Sequence, residues 1–169
     1  MAIAAMNSRR LPTGFVRLAA SVPLHSDPDR VAGLLGQGGT PWADGLLERP
    51  GISDLQRFAV DLRLRVGGSG TALTTFRKAA YLDLGLPRRT ATGWEAEISW
   101  RASSLAPLFP VFSGWLTIGP EDLRIEGLYA PPGGKVGRVA DRLLLHVAAN
   151  ATARWVLGEI DRAALGAAG

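Results

Sequence analysis

The chain has 169 residues, of which 47% are hydrophobic and 20% charged, enough for one domain to bury a core and too apolar for a disordered chain. Its 19 Lys+Arg exceed its 15 Asp+Glu for a formal net charge of +4, but pairs such as Arg9-Arg10 and Arg88-Arg89 are too short for the basic stripe that nucleic acid requires. With no cysteine and two distant histidines, His25 and His146, disulfide and thiolate chemistry are excluded, and neither a metal nor a cofactor is expected.

The apolar start, Met1 to Met6, precedes Arg9-Arg10, the reverse of a secretory signal, and no run has the length of a transmembrane helix. The expectation is a cytoplasmic protein. Phe15 to Leu24 is β-prone and ends in a turn, which predicts a first strand. Ser26 or Asp27 then caps a helix with Pro28 in its first turn, running to Leu35 before Gly36 to Gly39 stops it. A second short helix is predicted over Pro41 to Leu47, ended by Pro50-Gly51.

From Arg57 the period becomes two. Phe58, Val60, Leu62, Leu64 and Val66 alternate with Arg57, Ala59, Asp61, Arg63 and Arg65, and Gly67 to Gly70 suits a hairpin turn. A third strand, Leu73 to Leu84, leads into a turn over Pro87 to Gly93. The fourth, Trp94 to Ser103, sets Trp94, Ala96, Ile98 and Trp100 on one face and Glu95, Glu97, Ser99 and Arg101 on the other. Phe112 to Ile118 and Leu123 to Tyr129 supply two more strands, joined through Gly119 to Asp122. Strands in succession with short turns predict an antiparallel meander.

After Pro131 to Gly134, one long helix is predicted from Lys135 to Leu165. Its apolar stripe is drawn through Val139, Leu143, Val147, Ala151 and Trp155, with Ala149 away from it. The fold class is therefore α+β in a single domain over residues 1–169, with a loose start at 1–12, a folded core at 13–165 and a loose tail at 166–169.

This order of elements, together with Pro41-Trp42, the segment Phe109 to Ile118 and the run Leu128 to Arg142, resembles the START-like, helix-grip or SRPBCC superfamily in its uncharacterised bacterial members. The resemblance implies a curved antiparallel sheet of about six strands wrapped round the long C-terminal helix. It also implies a cavity between the two for a small hydrophobic molecule, lipid-like or polyketide-like. The superfamily spans carriers and polyketide cyclases, so the fold leaves the activity open.

The inward face that such a cavity would use comprises Phe58, Val60 and Leu62, then Phe76 and Leu82, then Ile98 and Trp100, then Leu116 and Ile125, with Leu143 and Val147 on the helix. Tyr129 alternates with Ile125 and points inward near the mouth. On the helix His146, Asn150 and Arg154 stand in one column at spacings of four, and Asn150 and Arg154 are candidates to orient a ligand's carbonyl or carboxylate. No catalytic residue emerges, and Glu95 and Glu97 share the face opposite the tryptophans. A non-catalytic binding module is preferred, a cyclase, aromatase or dehydratase using the same cavity is the alternative, and a partner-binding domain with a filled core is a third reading. The expected partner is a small apolar molecule, with no nucleic acid and no integral membrane association; a homodimer stays open.

Overall fold

The computed structural model describes residues 15–37, 55–66, 74–102, 111–130 and 139–166, with the side chains at 58–66, 74–78, 102, 139–146 and 148 outside that description. Strand β1 (Val16–Pro23) is followed by helix α1 (Pro28–Gly36), strands β2 (Leu55–Val66), β3 (Thr74–Gly85), β4 (Arg88–Thr90), β5 (Gly93–Ala102), β6 (Val111–Ile118) and β7 (Asp122–Ala130), and helix α2 (Val139–Gly166). The predicted second helix over Pro41 to Leu47 and the turns at Gly67 to Gly70 and Pro131 to Gly134 lie outside the described residues.

The strands form one seven-stranded antiparallel sheet in the order β1-β7-β6-β5-β3-β2, with β4 paired to β5. The meander from β2 onward places sequential strands side by side, and β1 closes the far edge on β7. Helix α2 packs against both edge strands, β1 and β2, which lie at opposite ends of the strand order. One helix about 10 Å across touches both edges only if the sheet curls around it, so the α+β fold is a sheet gripping its C-terminal helix.

A bulge accompanies the curl. Leu84 pairs with Ile98 and Arg88 with Glu95, so Gly85, Leu86 and Pro87 stand opposite Ala96 and Glu97 alone. The extra residue bends the strand and increases its twist. The sequence expectation of a plain turn over Pro87 to Gly93 is corrected here: β4 continues the β3 strand past the bulge, and only Ala91 and Thr92 make the turn back. Gly93 has φ +147°, and a Cβ there would overlap the Ile118 carbonyl oxygen, so only glycine fits.

Alternation along the strands is as the period predicts. Ala96, Ile98 and Trp100 are buried with Leu116 and Ile118 of β6 and Leu123, Ile125 and Tyr129 of β7, whereas Glu97 and Arg101 are exposed. On the outer face Arg57 holds Asp83 through two bonds, Nε to Oδ1 at 2.6 Å and Nη2 to Oδ2 at 2.9 Å. The Arg57 and Arg101 guanidinium groups both lie over the Tyr81 ring, 5.7 and 5.8 Å from its centroid.

The direction of the α2 stripe differs from the sequence expectation. The buried positions are Ala149, Thr152, Ala153, Val156, Leu157, Ile160 and Ala164, while Val147 is 60% exposed. At 100° per residue the buried face is turned by roughly 140° from the expected stripe, so Ala149 faces in and Val147 faces out. Apolar residues are spread almost evenly around this helix, so apolarity alone leaves its buried face undetermined.

Candidate functional site

The C-terminal half of α2 is fixed by a carboxylate from within the helix. Asp161, 5% exposed, accepts from the backbone N–H groups of His25 (3.1 Å) and Ser26 (3.2 Å), from the Ser26 hydroxyl (2.8 Å) and from the His25 Nδ1–H (2.8 Å). Burial pushes the Asp161 carboxyl up, but the bonds from His25 and Ser26 outweigh it and hold the group below the usual carboxylate range. The same corner carries the α1 cap, where the Asp27 side chain accepts from the Arg30 N–H at 3.0 Å. Asp29 then ties α1 to the sheet, accepting from Trp94 Nε1 at 2.8 Å and from Arg89 Nη1 at 2.7 Å.

Because His25 lies two residues past the end of β1, this clamp places the last turns of α2 at the sheet end where Pro23 pairs with Asp122. The helix then runs back along the inner face. Ala149 lies about 18 Å from Asp161 along it, and the strand from Pro23 back to Val16 covers about 23 Å. The small buried residues Ala149 and Ala153 are therefore carried toward the opposite end of the sheet, where the inner face is aromatic.

At that end Leu82, Trp100, Phe112, Tyr129 and Val16 form one cross-strand row. Trp100 and Phe112 stack with centroids 4.1 Å apart and planes at 21°. Beneath them Gly114 pairs with Gly127. A Cβ on Gly114 would stand 2.7 Å from Phe112 Cζ and one on Gly127 2.8 Å from Phe112 Cε2, so the phenylalanine ring lies across the bare backbone of both. The wall is thus layered: a glycine floor, then Phe112, then Trp100. Tyr129 is buried at its edge, and burial pushes its phenol up, so the group keeps its proton.

The expected inward residues Leu82, Ile98, Trp100, Leu116, Ile125 and Tyr129 all lie on this inner face and are buried. The side chains of Phe58, Val60, Leu62, Phe76, Leu143 and His146 lie outside the described residues. Two helix candidates are corrected. Val147 points away from the sheet, and Arg154, expected to orient a ligand's carbonyl or carboxylate, is exposed because the buried face of the helix lies elsewhere. Asn150 is half-buried beside Ala149. Glu95 and Glu97 take the outer face as expected, and Glu97 borders an open recess of about 400 Å³ there with Asp83, Ser99, Ser113 and Trp115.

Sequence reading missed Asp161, Phe112 and Gln56. Phe112 was legible from its alternation with Leu116, whereas Asp161 and Gln56 carry no local signal, since their partners come from distant elements. Among the described residues no group of three or more His, Cys, Asp or Glu converges as a metal ion requires. No helix among them is long and apolar enough to cross a membrane.

No family model matches the sequence, and no curated protein matches it. Among solved structures, the chain is similar to the di-domain ARO/CYC StfQ from the steffimycin biosynthetic pathway, with a TM-score of 0.54 and 14% identity over 92% of this chain and 52% of that one. The chain spans about half the length of that protein. At this identity the likeness is one of fold: the curved antiparallel sheet and C-terminal helix described above are shared with an ARO/CYC protein.

Proposed function

We propose that this chain is a single START-like, helix-grip domain that binds a small, largely apolar ring-containing or lipid-like molecule between the inner face of its sheet and α2. The observation that carries the reading is the layered aromatic wall. Gly114 and Gly127 lower the floor, Phe112 and Trp100 stack on it, and the small residues Ala149 and Ala153 face inward from the helix. Flat apolar walls with few polar groups suit a ligand of that class. Ile98, Leu116 and Ile125 extend the wall, and the protonated Tyr129 gives it a polar edge. The fold shared with StfQ supports the same class of ligand.

A cyclase-like activity in the same place is the second reading, and the StfQ likeness is what favours it. Among the described inward-facing side chains the titratable groups are Tyr129 and Asp161, and Asp161 is committed to His25 and Ser26. A phenol held protonated by burial donates a hydrogen bond but accepts no proton, so the described interior fits binding better than proton transfer.

The test is native mass spectrometry of the purified protein against its denatured mass, with extraction of what is bound. A reproducible apolar adduct that disappears in Trp100→Asp, checked by circular dichroism to be folded, is the expected result. An empty protein that also fails to take up an apolar fluorescent dye would overturn the binding reading.

A further inference from the structure

Gln56 sits on the inner face of β2, in register with the buried Leu84, and is 8% exposed. Its Nε2 donates to the Leu35 carbonyl oxygen at 3.3 Å, one of the carbonyls that the end of α1 leaves without an intrahelical partner. That bond fixes the orientation of the amide, because turning it over would set two oxygens against each other. The side-chain oxygen is thereby directed away from α1. It is buried and meets no hydrogen-bond donor among the described residues.

The capping of Leu35 accounts for the amide nitrogen and leaves the oxygen unexplained. A buried acceptor without a donor is destabilising, and an apolar side chain of equal volume would fill the position without that cost. Gln56 also stands in the cross-strand row of Leu84, Ile98, Gly114 and Gly127, beside the row of Leu82, Trp100, Phe112 and Tyr129 whose Phe112 ring covers the two glycines. Building on the ligand-binding reading above, we propose that Gln56 is a specificity-determining residue: its Oε1 accepts a hydrogen bond from a hydroxyl on the bound molecule. The site then selects phenolic or enolic ring systems over bare hydrocarbons of the same shape, since a ligand without the hydroxyl leaves the oxygen unpaired.

The test is calorimetric titration of the full chain with 1-naphthol and 1-methylnaphthalene, probes of nearly equal size. The naphthol-to-methylnaphthalene affinity ratio is expected to fall roughly fivefold in Gln56→Met, through loss of naphthol binding. Because that variant also removes the donor from Leu35, a second measurement uses the wild-type protein: the Gln56 side-chain amide signals in ¹H–¹⁵N spectra are expected to move with 1-naphthol and stay in place with 1-methylnaphthalene. A ratio unchanged in Gln56→Met, or Gln56 signals that respond equally to both probes, would overturn the inference while leaving ligand binding intact. Binding of neither probe would remove the ligand-binding reading itself, and this inference with it.

Discussion

The two ends of the sheet hold the helix with different chemistry. At the end where β1 leaves the sheet, a buried carboxylate on α2 collects four hydrogen bonds from His25 and Ser26, and Asp29 links α1 to Trp94 and Arg89. At the other end the inner face presents stacked rings over glycine backbone, Trp100 on Phe112 on Gly114 and Gly127. Directed bonds fix the rotation and register of the helix, because each has a narrow range of distance and angle. Stacked apolar surfaces tolerate exchange of one occupant for another of similar shape. The polar end is thus suited to anchoring and the aromatic end to accepting a ligand.

Three perturbations would break or sharpen this division. The largest effect is expected from Asp161→Asn, which gives up a charge and leaves donors of His25 and Ser26 short of acceptors. A loss of about 3 kcal/mol in urea denaturation at pH 7 is the expected outcome. Its pH dependence has a definite sign. The carboxyl is held below its usual range in the folded state, so its contribution is present above the unfolded value of about 4 and is lost as pH falls through the folded value. The stability gap between wild type and variant should therefore close below about pH 4. A gap that stays constant down to pH 2 would mean that the charge is not what anchors the helix.

Gly127→Ala attacks the other end. Its Cβ would stand 2.6 Å from the Gly114 Cα and crowd Phe112, so the stack must shift, at a cost of about 2 kcal/mol. The sharper readout is tryptophan fluorescence, which should change as Trp100 loses its partner while the acid transition assigned to Asp161 stays in place. Movement of both together would show that the two ends are one cooperative unit. The smallest effect is expected from Asp27→Ala, which removes the α1 cap for about 1 kcal/mol. Thermal denaturation should record that loss, and binding of 1-naphthol should be unchanged.

The strands and the site divide cleanly by how local their causes are. Period-two alternation placed Ile98, Trp100, Leu116, Ile125 and Tyr129 on the buried face because the pleat sends neighbouring side chains to opposite sides whatever the partner strand. The α1 boundary was equally legible, since Asp27 and Pro28 act within one turn of the chain. Tertiary structure alone decided the rest. Apolar residues are spread almost evenly around helix α2, so only docking on the sheet chose Ala149 over Val147 and left Arg154 outside. The bulge at Gly85 to Pro87 became visible only through the register of β5. Asp161 meets partners 135 and 136 residues away, and Gln56 meets one 21 residues away. Bonds of that kind leave no periodicity in the sequence, because they exist only once separate elements have been brought together.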